Sequence, residues 1–232
     1  TLDSGDRVRL RFVNTPELNP AQDYGIEARD TAKELVLEQE VQLSYGEVKR
    51  DGYGRLLASI EARGKDLATL LLERGYAHLF IIPPHEHDDA PLLTAQARAR
   101  RANRGIWSTD SYKGRLHITS FHANARGNDR ENINGEYARV CNVTEVPINL
   151  EGYRVTEMAG RAWVLPAMEL PPGHTVKIHS GVGDNQLDPK DQLKLYLGND
   201  WPIWNNTRDR ITLYDTQGLM LDTWLYAPKS RQ

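Results

Sequence analysis

The sequence predicts two domains, a mixed α and β domain followed by an all-β sandwich. The chain has 232 residues, which is enough for two separate cores. Its first half alternates strand patterns with three helical patterns. From Lys113-Gly114 onwards, short strands separated by turn signals replace the helices, which is typical of a sandwich. We therefore place the domains at residues 1–113 and 114–232.

Composition excludes several classes of protein. With 39% hydrophobic and 26% charged residues, the chain has the composition of an ordinary globular protein rather than a disordered one. The net charge is −3, and residues 1–112 hold 15 Lys and Arg against 18 Asp and Glu. Nucleic-acid binding would therefore depend on local patches or bound cations. No apolar run approaches the roughly 18 residues of a membrane span.

The single cysteine, Cys141, excludes an internal disulfide and a cysteine-based zinc site. It falls within a predicted strand, where we expect a buried, inert thiol rather than a catalytic one.

Residues 7–13 are the most informative segment. Three arginines alternate there with apolar residues, which predicts a strand with one cationic and one apolar face. The T-P-E sequence at 15–17 predicts an exit into a turn, because proline stops the ladder. A second strand at 53–60 opens with a glycine turn and carries Arg55 just inside it. An ordinary basic strand on a small barrel would also explain the first segment taken alone.

Two arginines and a carboxylate near strand ends suit attack on a phosphodiester. The transition state is a five-coordinate phosphorus with extra negative charge on its oxygens. Guanidinium groups meet that charge with paired donors, which the point charge of a lysine does not provide. A nearby carboxylate can accept a proton from the attacking water. The candidates are Arg9, Arg55 and Glu17.

The rest of the first half predicts helices at about 24–39, 67–74 and 90–104, with strands at 40–47 and 76–82. Arg98, Arg100, Arg101 and Arg104 lie off the packing stripe of the third helix. They either contact phosphates or form a solvated helix face, the commoner meaning of such a pattern. The H-E-H-D-D run at 85–89 has the residue types of a metal-binding site. It follows Pro83-Pro84 in a predicted loop, which argues against a real site as the interpretation of this run.

For the second half we predict eight strands, with a last hairpin turned at 215–218. Four histidines there, His117, His122, His174 and His179, are scattered along the sequence, which favours strand-surface residues over ligands. The predicted strands are 116–121, 136–142, 152–156, 162–165, 175–180, 192–197, 210–215 and 219–226.

Residues 1–110, approximately, resemble the staphylococcal (thermonuclease-like) nuclease family. The resemblance rests on an ordered set of segments rather than on one motif. These are the arginine strand running into T-P-E, Y-G-I-E-A at 24–28, D-x-Y-G-R at 51–55, R-G-Y-A at 74–77 and the closing segment 97–107. The resemblance implies an α+β fold, a five-stranded OB-type barrel with three helices.

The resemblance also implies roles for particular residues. Arg9 and Arg55 would be the transition-state arginines, and Glu17 the general base or water-orienting carboxylate. Asn14 and the backbone carbonyl of Thr15 would be ligands of Ca²⁺, which accepts amide and carbonyl oxygens. Asp51 and Tyr53 would bind the substrate. The implied reaction is calcium-dependent hydrolysis of DNA and RNA, preferably single-stranded, that leaves 3′-phosphate ends.

The chain departs from the family pattern at three places. The family's D-G-D-T turn, whose aspartate is the principal metal ligand, does not occur. Thr1-Leu2 resembles the strand after that turn, so a further aspartate is expected upstream of Thr1. Asn14 replaces a common aspartate, which should weaken calcium binding. Ile81 and Pro83 stand where the best-known member has nucleotide-holding tyrosines, so substrate contacts should differ there.

Residues 116–227 resemble the lamin-tail domain, an immunoglobulin-like β-sandwich. The matching landmarks are N-I-N-G-E-Y at 132–137, N-L-E-G-Y at 149–153, L-P-P-G at 170–173, W-N-N at 204–206 and the closing strand from Asp222 to Tyr226. No catalytic constellation appears in this half. It is expected to target or bind an unknown partner.

Two functions remain open. The first is a calcium-dependent nuclease joined to a targeting sandwich. The second is a catalytically impaired, nuclease-like scaffold that binds nucleic acid or protein. Retention of Arg9, Glu17 and Arg55 favours the enzyme, whereas Asn14 and the missing aspartate favour the scaffold. Secretion or a periplasmic location, with any signal peptide outside the chain, fits the calcium supply. A chain with a single cysteine forms no internal disulfide, so a location in the cytosol is equally compatible with the sequence.

Overall fold

A computed structural model describes residues 1–19, 21–84 and 88–228. The chain divides into two compact units, Thr1–Asp110 (unit 1) and Ser111–Gln232 (unit 2). This division lies close to the predicted boundary between residues 113 and 114. No helix in the described part of the chain is long and apolar enough to cross a membrane.

The described part of unit 1 contains three α-helices, as predicted, and six strands. Strand β1 runs parallel to β4, β3 runs antiparallel to β4 on its other side, and β5 also pairs with β4. Strands β2 and β6 form a separate antiparallel pair. The described ladders are thus one sheet and one pair, without a continuous closed barrel. The elements are β1 (Val8–Leu10), β2 (Val13–Asn14), α1 (Gly25–Val36), β3 (Gln42–Arg50), β4 (Leu56–Ala62), β5 (Lys65–Asp66), α2 (Leu67–Arg74), β6 (His78–Leu79) and α3 (Ala90–Arg101).

The prediction of one uninterrupted strand over residues 7–13 is wrong. β1 ends at Leu10, and Phe12 adopts a left-handed backbone conformation with φ 64°. This bend lets Phe12 bury its side chain and accept a hydrogen bond from the Phe80 amide at 2.8 Å. The chain then continues as β2, paired with β6 instead of β4. Thr1-Leu2 is also not a strand, because Leu2 belongs to a turn closed by two backbone hydrogen bonds.

Helix α2 has the bounds that its sequence predicts, because both ends carry strong signals. The Asp66 carboxylate caps the first turn by accepting the Thr69 amide at 2.7 Å. Gly75 ends the helix with φ 71°, a left-handed conformation that glycine adopts without strain. The buried side of α2 supplies Leu71 and Leu72 to the core of unit 1, which also includes residues of α1, β6 and α3.

Up to residue 228, where the described residues end, unit 2 consists of two four-stranded sheets and a short pair, as expected for a sandwich. The sheet orders are β14-β13-β8-β7 and β11-β10-β15-β16, and β12 pairs with β9. The strands are β7 (Leu116–His122), β8 (Tyr137–Asn142), β9 (Ile148–Asn149), β10 (Arg154–Thr156), β11 (Ala162–Val164), β12 (Glu169–Leu170), β13 (Thr175–His179), β14 (Leu193–Tyr196), β15 (Asp209–Tyr214) and β16 (Met220–Tyr226).

Each of the eight strands predicted for this half has a counterpart, and among the described residues only the two-residue strands β9 and β12 were not predicted. The core of the unit is an apolar cluster from both sheets that includes Ile178, Leu195, Leu213 and Trp204. Cys141 is fully buried in β8, and burial raises the pKa of its thiol.

Gly75 offers a test of the fold of unit 1. A Cβ at this position would overlap the carbonyl oxygen of Arg104, in addition to the strain of the positive φ. Gly64 has a similar φ of 68° but open space around it. We expect Gly64→Ala to lower the free energy of unfolding by about 1 kcal/mol and Gly75→Ala to lower it by roughly 3 kcal/mol. Urea unfolding followed by circular dichroism measures both, and equal losses would contradict the close packing at Gly75.

Candidate active site

The register between β1 and β4 brings Arg9 and Arg55 to the same face of the sheet. Arg9 is paired with Leu57 in the parallel ladder, and the Leu56 amide donates to the Arg7 carbonyl oxygen at 2.8 Å. Side chains alternate along a strand, so Arg55, two residues before Leu57, points to the side that Arg9 faces. Arg55 directly precedes β4, and its charge affects the pKa of Arg9, so the two arginines are close neighbours.

Asp51 holds Arg55 in place. Its Oδ2 atom accepts hydrogen bonds from Arg55 Nε at 2.7 Å and lies 2.6 Å from Arg55 Nη2. Its Oδ1 atom accepts the backbone amides of Tyr53 and Arg55, which closes the turn before β4. Burial acts to raise the pKa of the Asp51 carboxyl, but the hydrogen bonds from Arg55 and these amides outweigh it, and the pKa lies below its ordinary value. The carboxylate stays ionised and keeps the guanidinium oriented.

Arg9 is fixed by its own chain. Its Nη1 donates to the carbonyl oxygens of Leu10 and Val13 at 2.9 and 2.7 Å, and its Nη2 donates to Asn14 Oδ1 at 2.9 Å. The Phe80 ring lies beneath it, with the ring centroid 5.5 Å from Cζ. The bend at Phe12 makes these bonds possible, because it turns the chain back past the guanidinium.

The other charged residues of the predicted site affect the pKa of Arg9. Burial lowers the pKa of Arg9 to about 10, and the positive charge of Arg55 contributes to the decrease. The carboxylates of Glu17 and Asp51 act in the opposite direction. Arg9 thus interacts with all three charged residues of the predicted site. At neutral pH it still carries its proton.

Glu17 lies in a tight turn after β2. Its amide donates to Gln22 Oε1 at 2.8 Å, and its carbonyl oxygen accepts the Gln22 amide at 2.9 Å. Gly25, the first residue of α1, packs so closely that an added Cβ would lie 2.9 Å from the Glu17 carbonyl oxygen. The turn is therefore anchored to the start of α1 while the Glu17 side chain remains exposed to solvent.

Two further residues that the sequence singled out, Tyr53 and Arg11, lie in different surroundings. Tyr53 is 79% exposed, with its ring 5.4 Å from Arg55 Cζ, so it can reach a bound substrate. Arg11 packs over the Phe12 ring at 4.4 Å and against Gly46, away from the pair formed by Arg9 and Arg55. Arg11 therefore does not join the site.

Sequence reasoning missed two supporting residues, Phe80 and Gln22. Phe80 belongs to an apolar run that looked like core, and Gln22 carries no motif. Both act through contacts that form only when distant segments fold together. The H-E-H part of the H-E-H-D-D run lies outside the described residues.

Two family models match the chain, one over each of the two compact units. A model of the staphylococcal nuclease homologue family matches residues 7–109, and a model of the lamin tail domain matches residues 109–227. The chain belongs to the staphylococcal nuclease homologues, and its second half is a lamin tail domain. Unit 1 is therefore the nuclease-homologue unit, of the OB-fold class, and unit 2 the lamin tail unit.

Several bacterial proteins are similar to the nuclease-homologue unit. The chain is 33% identical over 109 residues to an Escherichia coli protein named "Uncharacterized endonuclease", covering 46% of this chain and 67% of that protein. It is 32% identical over 106 residues to the thermonuclease of Staphylococcus intermedius, covering 44% and 63%. It is 33% identical over 113 residues to endonuclease YncB of Bacillus subtilis, covering 46% and 54%.

One calcium ligand that the resemblance implies, Asn14, is already engaged by a neighbouring side chain. No group of three or more His, Cys, Asp or Glu side chains placed to hold a metal occurs in the described part of the chain. Asn14 Oδ1, the expected ligand, accepts a hydrogen bond from the cationic Arg9. An oxygen that faces a guanidinium is a poor ligand for a cation. The Asp6 carboxylate is likewise engaged, by Arg50 at 2.9 Å and by Ser4 at 3.0 Å.

The ion pair of Asp51 and Arg55 leads to a prediction about activity. In Asp51→Asn, the side-chain oxygen can still accept the backbone amides of the turn in place of Oδ1. The NH2 group that replaces Oδ2 cannot accept the hydrogen bonds of the Arg55 guanidinium. We expect the rate of oligonucleotide hydrolysis to fall about tenfold or more, because a loosely held donor stabilises the transition state less. The matched control is Asp6→Asn, which breaks the exposed ion pair with Arg50. Initial rates on a fluorescent oligonucleotide measure both, and a full rate in Asp51→Asn would contradict the positioning role.

Proposed function

We propose that this protein is a nuclease that hydrolyses phosphodiester bonds of DNA and RNA, preferably single-stranded. The observation that supports the proposal is the nearness of four charged groups: Arg9 lies on β1, Arg55 directly precedes the parallel strand β4, and the charges of Arg55, Glu17 and Asp51 all affect the pKa of Arg9. Two cations with one exposed carboxylate suit a phosphate group and an attacking water. The named activities of the similar endonucleases and thermonuclease agree with this chemistry.

In the proposed reaction, Arg9 and Arg55 donate hydrogen bonds to the non-bridging oxygens of the scissile phosphate. Glu17 accepts a proton from a water molecule as the water oxygen forms a bond to phosphorus. The bond between phosphorus and the 5′ oxygen breaks, and that oxygen takes its electron pair and then a proton from water. The products are a 3′-phosphate and a 5′-hydroxyl. Arg9 would have to release Asn14 in order to engage the phosphate.

Asp51 and Tyr53 take separate roles in this proposal. Both oxygens of Asp51 already accept hydrogen bonds from residues of its own turn, so we assign it to positioning Arg55 rather than to contacting the substrate. The exposed ring of Tyr53 remains the substrate-binding candidate.

Calcium as the cofactor is a proposal that rests on the resemblance to the family. Asn14 and the Thr15 carbonyl would need a carboxylate partner to hold the ion. The lamin tail unit is proposed to bind or target, without chemistry of its own.

The scaffold remains the second candidate, and one contact favours it. Asn14 already accepts a hydrogen bond from Arg9, which is one of the two cations that the enzyme would use to bind the phosphate. A site of that kind would suit a protein that holds nucleic acid or another protein and does not cut. Measured turnover distinguishes the two candidates.

Replacement of the arginines tests the enzyme directly. We expect Arg55→Ala to reduce kcat by 10²-fold or more, since one preorganised donor contributes about 3 kcal/mol to transition-state stabilisation. Arg55→Lys should recover little, because a point charge cannot donate in pairs. Arg98→Ala removes an exposed arginine of α3 and serves as the matched control. Undiminished turnover in Arg55→Ala would refute the assignment.

Metal dependence has its own test. We expect a chain that carries the family's D-G-D-T turn ahead of Thr1 to degrade single-stranded DNA and RNA with calcium and to stop in EDTA. The 232-residue chain should be much slower. Asn14→Asp should lower the calcium concentration needed for half-maximal rate, because it adds a charged ligand. Equal rates in EDTA and calcium would rule out calcium as the cofactor.

A further inference from the structure

The sheet of β11, β10, β15 and β16 has one face in the core of the lamin tail unit and one face towards solvent. Val155, Ile211 and Leu213 are fully buried in that core. Successive side chains of a strand point to opposite faces, so the residues beside these three point away from the core. We call this side of the sheet the outer face. On its two central strands, β10 and β15, the outer face carries Arg154, Thr156, Arg210, Thr212 and Tyr214.

A depression of about 410 Å³ lies on the outer face, and all five of these residues line it. Arg154 pairs with Tyr214, which is four residues along β15 from Arg210. The two arginines are therefore about 14 Å apart along the strand direction. Thr156 lies between them and its hydroxyl can donate a hydrogen bond, whereas the Thr212 hydroxyl is already bonded to Thr223 at 3.1 Å. The depression thus offers two guanidinium groups and a hydroxyl to an anion.

Neither arginine of the depression is neutralised by an ion pair. Within residues 1–19, 21–84 and 88–228, no ion pair involves Arg154 or Arg210. Arg154 lies against the Tyr214 ring, with 5.8 Å between its Cζ atom and the ring centroid. This contact orients the guanidinium and leaves its charge in place. Both arginines are exposed to solvent.

The carboxylates closest in sequence to these strand segments are committed to other groups. Glu157, which also lines the depression, is paired with Arg161, whose Nε lies 3.3 Å from Oε1. Asp209 is buried and accepts three backbone amides at 2.7 to 3.0 Å. Asp215 accepts two backbone amides within its own turn. None of the three forms an ion pair with Arg154 or Arg210, so both guanidinium groups can bind an external anion.

Exposed apolar side chains border both arginines. Val164 of β11 pairs with Arg154 and is 66% exposed, and Leu225 of β16 pairs with Arg210 and is 45% exposed. Met158 also lines the depression and is exposed. A ligand that combines repeated negative charges with flat, apolar groups would match both kinds of surface.

We propose that the outer face of this sheet binds a single nucleic-acid strand through Arg154 and Arg210. Each guanidinium donates paired hydrogen bonds to a backbone phosphate, and the Thr156 hydroxyl donates one more. The bases pack on the apolar border formed by Val164, Met158 and Leu225. Because the polar contacts go to the backbone, the face binds without regard to base sequence.

The choice of polymer rests on the proposed function, since the nuclease-homologue unit is proposed to cut the same polymer. A run of aspartate or glutamate would also satisfy the two arginines. It would leave the apolar border uncovered, which is why the surface favours a nucleic-acid strand. The binding itself needs no catalysis.

The test is the binding of a fluorescent single strand of about 12 nucleotides to the full chain in EDTA, followed by anisotropy. We expect Arg154→Gln/Arg210→Gln to raise Kd on the order of tenfold at low salt. The salt slope should fall by about 1.4, because two phosphate contacts are lost. The matched control is Arg126→Gln/Lys190→Gln, which removes the same charge from exposed loop positions of the same unit. Unchanged binding in the first variant, or an equal loss in both, would overturn the proposal.

A charge-conserving variant separates binding from folding. Arg154→Lys/Arg210→Lys keeps both charges and loses the paired donors, so it should keep most of the salt slope and lose only part of the affinity. A loss as large as that of the glutamine variant, in slope as well as Kd, would show that the arginines act on the fold and would remove them from the site.

Competition identifies the partner, and turnover separates this proposal from the nuclease. Polyglutamate at equal charge should displace the strand poorly, and efficient displacement would mean that the partner is an acidic polypeptide. Turnover is measured separately, with calcium. Wild-type protein that does not cut but binds through Arg154 and Arg210 would refute the nuclease and support this inference. Protein that cuts, with equal Kd in wild type and the glutamine variant, would do the reverse.

Discussion

The parallel pairing of β1 with β4 is the constraint on which the candidate active site depends. It fixes Arg9 opposite Leu57, and side-chain alternation then places Arg55 on the same face. A shift of one residue in this register would turn one arginine to the opposite face. The surrounding contacts serve this geometry. Asp51 orients one guanidinium, and the carbonyl oxygens gathered by the bend at Phe12 orient the other.

Charge in this protein is organised locally rather than globally. The nuclease-homologue unit is mildly acidic, and residues 113–232 have equal numbers of positive and negative side chains. Cations nevertheless converge at one place in the nuclease-homologue unit, the pair of Arg9 and Arg55. An acidic surface around a small cationic site weakens non-specific retention of a polyanion, which suits an enzyme that must release its product.

Much of the fold could be predicted from local signals. Helix α2 has its predicted bounds because Asp66 and Gly75 mark its ends, and the eight main sandwich strands follow from apolar alternation and turn residues. The errors fall where tertiary contacts override that pattern. The 7–13 segment alternates as one strand, yet burial of Phe12 and pairing with β6 break it after Leu10. The strands β9 and β12 are too short to have a period.

The sequence by itself determined which side chains were available: two arginines with a carboxylate in one half, and scattered lysines and histidines in the other. Only the tertiary structure decided which of them meet. Arg9 and Arg55 are 46 residues apart and become neighbours through a parallel ladder, whereas Arg11, two residues from Arg9, packs elsewhere. His122 and His179 looked unrelated, yet they lie on the same sheet, where His122 stacks on Tyr137 and His179 stacks on Tyr196. The reason is that strand register is set by burial over the whole sheet, which no short segment encodes alone.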